Sequence, residues 1–170
     1  VIRHPRRLGK GQAIRTGIAA ARSRGASVIV TMDGDGQHDP RDLGAVLDAA
    51  RRSPRTIIVG GRLGEARMLP PDRLSAIRVA GFFVNWASGL ALQDTQSGFR
   101  AYPLELFDEI RLRRGGFVLE TEVLVAAALR GWRVVEVPVR AVPRASRRSR
   151  FRPLGDGVAI GAYLAGRVTA

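Results

Sequence analysis

The chain has no cysteine, so neither a disulfide framework nor a thiolate metal site is available to it. Lysine is almost missing too: Lys10 is the only one among 28 basic residues. Aromatic residues make up 6% and are not interleaved with basic ones, which speaks against a nucleic-acid binder. No run approaches the roughly 20 apolar residues needed to span a bilayer. The start, Val1-Ile2-Arg3-His4-Pro5-Arg6-Arg7, lacks the apolar core of a signal peptide. The phosphate-loop pattern Gly-x4-Gly-Lys-Ser/Thr is absent, as are internal repeats. What remains is ordinary for a globular protein: 170 residues, 45% hydrophobic and 25% charged, enough for one domain spanning 1–170. The formal charge of +13 is nearly all arginine, the better bidentate partner for phosphate. Phosphorylated substrates and anionic lipid are the partners this charge suits.

The densest chemistry lies in Val28-Ile29-Val30-Thr31-Met32-Asp33-Gly34-Asp35-Gly36-Gln37-His38-Asp39-Pro40. Its apolar, β-branched start reads as a buried strand. It ends in two aspartates two residues apart, and residues i and i+2 point to one side of an extended chain. Asp33 and Asp35 can therefore face one point at the carboxyl end of the strand, where open α/β sheets place ligands. Gln37 adds a neutral oxygen and His38 a hydrogen-bond donor. Two carboxylates and an amide oxygen are hard ligands, suited to Mg²⁺ or Mn²⁺ carrying a substrate diphosphate. The plainer reading is an acidic turn in which Asp39 caps the helix that Pro40 opens. The complete Asp-Gly-Asp-Gly-Gln-His-Asp-Pro run favours the metal.

Along the chain, Val1-Ile2 reads as the tail of a strand. Gly9-Lys10-Gly11 opens a helix with Ile14, Ile18 and Ala21 on one face, and Gly25 ends it. Lys10 either reaches a phosphate or merely solvates the helix start. A helix over about 40–52 and a strand Thr56–Gly60 continue an alternation that argues a largely parallel sheet. Arg62 then falls at the same sheet end as the aspartates. Residues 63–73 read as a loop of substrate-covering length. Leu74 to Leu90 is an apolar helix, mostly core, whose Phe82, Phe83 and Trp86 also suit a lipid tail or membrane face.

Asp94-Thr95-Gln96-Ser97-Gly98-Phe99-Arg100 is a second polar cluster, with an acceptor in Asp94, a hydroxyl in Ser97 and a phosphate clamp in Arg100. A short helix, Leu104 to Ile110, is expected to follow Tyr102-Pro103. Glu120 and Glu122 precede a helix from Val123 to Arg130, either as carboxylates favoured by its dipole or as site groups. Trp132 to Val139 alternates as a strand. Five arginines (144, 147, 148, 150 and 152) fall within nine residues. Such a run is either solvated surface or a mobile loop in which Arg150 and Arg152 close on a diphosphate or lipid phosphate and hold an anionic membrane. Gly155 to Val168 reads as a weakly amphipathic helix.

These pieces, in this order, resemble family 2 glycosyltransferases of the polyprenyl-phosphate sugar transferase kind. The matching stretches are Leu8-Gly9-Lys10-Gly11-Gln12-Ala13, Met32 to Pro40, Gly60-Gly61-Arg62, Asp94 to Tyr102, Glu120-Thr121-Glu122, Glu136-Val137-Pro138-Val139 and Ser149-Arg150-Phe151-Arg152-Pro153. The resemblance implies the α/β nucleotide-sugar transferase fold, a mostly parallel sheet flanked by helices. It also implies an inverting transfer from a nucleotide sugar to a polyprenyl phosphate or related cell-envelope acceptor. By it, Asp33, Asp35 and Gln37 match the positions that hold Mg²⁺ or Mn²⁺ on the donor diphosphate, Arg62 and Arg100 match phosphate-contacting arginines, and Asp94 matches an acidic position beside the acceptor.

One departure accompanies it. Family members begin with strands that bind the nucleobase and ribose, and this chain begins after them. The expectation is a partial catalytic domain that is inactive alone, peripheral to the cytoplasmic face of a membrane. The competing class is a non-catalytic basic remnant that binds anionic lipid or nucleic acid, which would have no use for converging carboxylates.

Overall fold

In the computed structural model, residues 1–62, 64, 71–113, 115, 118–142, 160–163 and 166 are described. Lys10–Arg22 forms α1, after which Gly25 turns the chain at φ 67°. Val28–Thr31 is β1, Leu43–Arg52 is α2 behind a 3-10 turn at Pro40–Asp42, and Thr56–Gly61 is β2. Pro71–Ser88 is α3, Arg100–Pro103 is β3 and Leu106–Glu109 is α4, followed by α5 (Val118–Ala128) and β4 (Arg133–Pro138). The strands form one sheet in the order β1-β3-β2-β4.

β3 is the strand that organises this sheet. It pairs antiparallel with β1 from Val28↔Pro103 to Thr31↔Arg100, and antiparallel with β2 through Ile58↔Ala101 and Val59↔Arg100. β2 pairs parallel with β4 from Thr56↔Arg133 to Gly61↔Pro138. β1, β2 and β4 therefore all run one way, and their carboxyl ends share one edge with the start of β3.

Alternation divides the core, because successive strand residues face opposite sides. Ile57, Val59 and Tyr102 pack with Leu119, Val123 and Leu124 of α5 and Val84 of α3. Ile58 and Ala101 pack on the other face against Val46 and Ala50 of α2. Ile57, Ile58 and Val59 are fully buried, so truncating Ile58 to Ala would cost about 2–5 kcal/mol.

The expected mostly parallel direction holds for β1, β2 and β4, and β3 runs against its neighbours. Several other expectations are corrected. Residues 100–103 are a strand, so the short helix starts only at Leu106. All four β3 residues are buried, which erases the alternation that would have announced a strand. α5 begins at Val118, which places Glu120 and Glu122 inside the helix rather than before it. Val1-Ile2 is not a strand. α3 starts at Pro71, earlier than expected, and residues 63 and 65–70 of the proposed loop lie outside the described residues. Of the expected C-terminal helix, 160–163 and 166 are described, and they are helical.

Candidate active site

The site forms where β1, β2 and β4 end. Thr31 closes β1 by donating its hydroxyl to the Gly98 carbonyl at 3.0 Å, which draws the 94–98 loop over the strand end. Asp33 follows, and its carboxylate packs directly on the Gly98 Cα. A Cβ at position 98 would run into it, so this close approach requires glycine.

Asp33 is paired. The Lys10 ammonium lies 2.6 Å from its Oδ1 and 2.9 Å from Oε1 of Glu120. Burial alone would push the Asp33 carboxyl up and the Lys10 ammonium down. Their mutual attraction, with Glu120 acting on Lys10, reverses both directions. Asp35 is fixed differently. The Gln37 backbone N–H donates to its Oδ1 at 3.2 Å and the Gln37 side-chain amide to its Oδ2 at 2.7 Å. Gly36 permits the turn between them at φ 79°. Gln37 is thus a buried support that sets the direction of Asp35.

From Gln37 the chain crosses the top of the sheet toward β4. The Gln37 carbonyl accepts from Val142 N–H at 3.1 Å, and His38 bridges Ala141. Asp39 caps the 3-10 turn by accepting from Arg41 N–H at 2.9 Å, as expected from Asp-Pro. Asp42 receives the Arg140 backbone N–H at 2.8 Å and its guanidinium at 2.5 Å. His38 is 5% exposed, stacks edge-on against Phe99, and has no partner at either ring nitrogen among the described residues. Burial first, and the Arg62 charge second, lower its pKa to about 4, so the imidazole is neutral at pH 7.

Arg62 and Asp94 face each other inside. The guanidinium grips the carboxylate at 2.8 and 3.1 Å, and both groups are sealed from solvent. Burial opposes the Arg62 charge, and Asp94 more than restores it. Arg100, fully buried, donates to the carbonyls of Ser97 (2.7 Å), Thr95 (2.8 Å) and Glu120 (3.0 Å). Ser97 turns its hydroxyl to Phe99 N–H at 3.3 Å. These contacts are all within the protein: Arg62, Asp94, Ser97 and Arg100 form the frame of the 94–98 loop. Glu136 of β4 completes it, accepting from Gln93 N–H at 2.7 Å and Asp94 N–H at 2.6 Å.

Asp33, Asp35 and Gln37 of the first cluster, Asp94, Ser97 and Arg100 of the second, and the separate candidates Lys10 and Arg62 all lie at one sheet edge. Glu122 goes elsewhere: its carboxylate receives Arg113 N–H at 3.1 Å and anchors the 111–113 segment. Its neighbour Glu120 is the α5 carboxylate that reaches Lys10. Arg150 and Arg152 lie outside the described residues. Gly98 and Glu136 were missed as site-building residues, since a close approach and a backbone cap across 42 residues leave no local pattern.

Residues 1–111 match the model of Glycosyl transferase family 2. The chain belongs to Glycosyl transferase family 2. Polyprenol monophosphomannose synthase of Mycolicibacterium smegmatis is 31% identical over 150 residues, covering 85% of this chain and 56% of that protein. The UDP-N-acetylglucosamine–dolichyl-phosphate N-acetylglucosaminyltransferase of Methanococcus voltae is 29% identical, covering 83% of this chain and 58% of that protein. The chain therefore spans a little over half the length of these relatives. Glucosyl-3-phosphoglycerate synthase from Mycobacterium tuberculosis, solved with Mn²⁺, uridine diphosphate and phosphoglyceric acid, superposes with a TM-score of 0.66 at 19% identity, over 97% of this chain and 54% of that one. That likeness establishes the fold: the α/β sheet of nucleotide-sugar transferases.

Proposed function

We propose that this chain carries the metal–diphosphate and acceptor-side part of an inverting glycosyltransferase that moves a sugar from a nucleotide sugar to a polyprenyl phosphate. The reading rests on Asp33 and Asp35, which both lie just past the end of β1 and both act on the Arg62 charge, at the sheet edge where Lys10 and the 94–98 loop also meet. The relatives named for polyprenol and dolichyl-phosphate chemistry support the acceptor class.

The donor set fits a hard divalent ion. Among the described residues, no group of three or more His, Cys, Asp or Glu forms a ready cage. Two carboxylates nevertheless suit Mg²⁺ or Mn²⁺, which commonly take one or two carboxylates and fill their other positions with substrate phosphate and water. Asp35 keeps acceptor capacity on both oxygens beyond its Gln37 bonds, and Asp33 is about a quarter exposed. Such an ion would offset charge building on the leaving nucleoside diphosphate.

The fate of Asp94 supports a phosphate acceptor over a sugar hydroxyl. A hydroxyl needs a general base, and Asp94, the carboxylate that resemblance puts beside the acceptor, is bidentate to Arg62 and sealed. A lipid phosphate is already ionised at neutral pH, so positioning suffices. Val79, Phe82, Phe83 and Trp86 on α3 are exposed at helical spacing, consistent with contact to lipid at a membrane surface. No helix among the described residues is long and apolar enough to cross a membrane.

The test is sugar transfer by protein containing this chain, offered nucleotide sugars with either polyprenyl phosphate or an oligosaccharide. Metal-dependent label in the lipid phase is the expected result. Transfer confined to the oligosaccharide would overturn the acceptor assignment.

A further inference from the structure

Lys10 is the anomalous charge of this centre. It stands in the first turn of α1, where the helix dipole favours an acid, and that turn contains no acid. It is also the only lysine in a chain whose other basic side chains are arginines or its two histidines. Arg62 and Arg100 are planar forks locked by several bonds each. A lysine ammonium is a compact point charge on a flexible stem and can change partners without breaking a fork. Here it neutralises Asp33 at 2.6 Å and Glu120 at 2.9 Å. Asp35 is held by Gln37 instead, so among the described residues Asp33 alone of the two aspartates is ion-paired to a cation.

We propose that Lys10 is a built-in counter-ion that a divalent cation must displace from Asp33, and that the displaced ammonium then pairs with the diphosphate arriving on that cation. The inference rests on the metal reading of Asp33 and Asp35. A cation arriving alone must break the Lys10–Asp33 pair with nothing gained by the ammonium. A diphosphate on that cation gives the ammonium oxygens to pair with in exchange. Metal and diphosphate should therefore bind cooperatively, and by linkage each strengthens the other by the same factor. The exchange also explains why a lysine at a helix start is tolerated: it is matched to carboxylates in one state and to phosphate oxygens in the other.

The experiment titrates Mn²⁺ calorimetrically, with and without inorganic pyrophosphate, referenced to protein-free titrations. Wild type, Lys10→Met, Lys10→Arg and Asp35→Asn are compared, with folding checked by circular dichroism. Lys10→Met should bind Mn²⁺ alone about tenfold more tightly than wild type and lose a similar factor of pyrophosphate enhancement. Lys10→Arg should keep the weak binding of Mn²⁺ alone. A folded Lys10→Met that binds Mn²⁺ no better than wild type, while Asp35→Asn abolishes binding, overturns the inference and leaves the metal site standing. Unchanged Mn²⁺ binding in Asp35→Asn overturns the metal reading, and this inference with it. Wild-type protein supplies a readout that needs no variant. Labelling lysine at ¹³Cε gives one resonance, which should move when Mg²⁺ and pyrophosphate are added together. A resonance that stays in place at saturation also overturns the proposal.

Discussion

Arg62, just past the end of β2, and Asp94, at the start of the loop before β3, form a bidentate ion pair with almost no solvent access. The pair ties two adjacent strands together at the edge where the site forms. Breaking it by removing one partner strands a buried charge. Arg62→Met and Asp94→Leu should each lower stability by about 3–5 kcal/mol, whereas the double variant should lose far less than their sum. Urea unfolding of the four proteins measures the coupling. Additive losses would mean that the two charges do not depend on each other.

Arg100→Lys should loosen the loop before it touches any chemistry. Lysine cannot reach three carbonyls spread over Thr95, Ser97 and Glu120, so buried acceptors lose their donors. The expected cost is about 1–3 kcal/mol, with faster amide exchange over 95–98 and reduced transfer as a consequence. Wild-type exchange rates combined with lost transfer would instead place the guanidinium on substrate phosphate.

His38 makes stability fall with acid. Its folded pKa is about 4, lowered by burial and then by Arg62, against 6.5 in the unfolded chain. The unfolded state therefore takes up the proton first. Stability is complete above pH 6.5, declines as pH falls toward 4 and then levels, by on the order of 3 kcal/mol in all. In metal-free buffer His38→Leu, which also removes two unpartnered ring nitrogens, should flatten that decline. Equal losses between pH 7 and 4.5 in both proteins would contradict this.

The parts of the fold and site legible in the sequence are those whose physics is local. Val28 to Asp35 shows a strand and the two carboxylates just past its end, and Asp39-Pro40 announces a helix start that the Arg41 N–H contact bears out. β3 was illegible because Arg100 sits inside it, buried by pairing with carbonyls that no nearby residue advertises. The choice between Glu120 and Glu122 depended on where α5 begins, since a shift of the helix start turns each carboxylate to another face. Likewise the need for glycine at 98 exists only because Asp33 folds against it from 65 positions away.

The most direct measurement of the central claim is nucleoside-diphosphate binding to this chain, comparing uridine and guanosine diphosphates with Mn²⁺ present or chelated. Asp35 lies beyond the end of β1 and outside the core, so Asp35→Asn should leave the melting temperature nearly unchanged. Binding that requires Mn²⁺ and disappears in Asp35→Asn is the predicted result. Equal diphosphate affinity with the metal chelated, and in the folded Asp35→Asn variant, would contradict the assignment of Asp33 and Asp35 to a metal-held diphosphate.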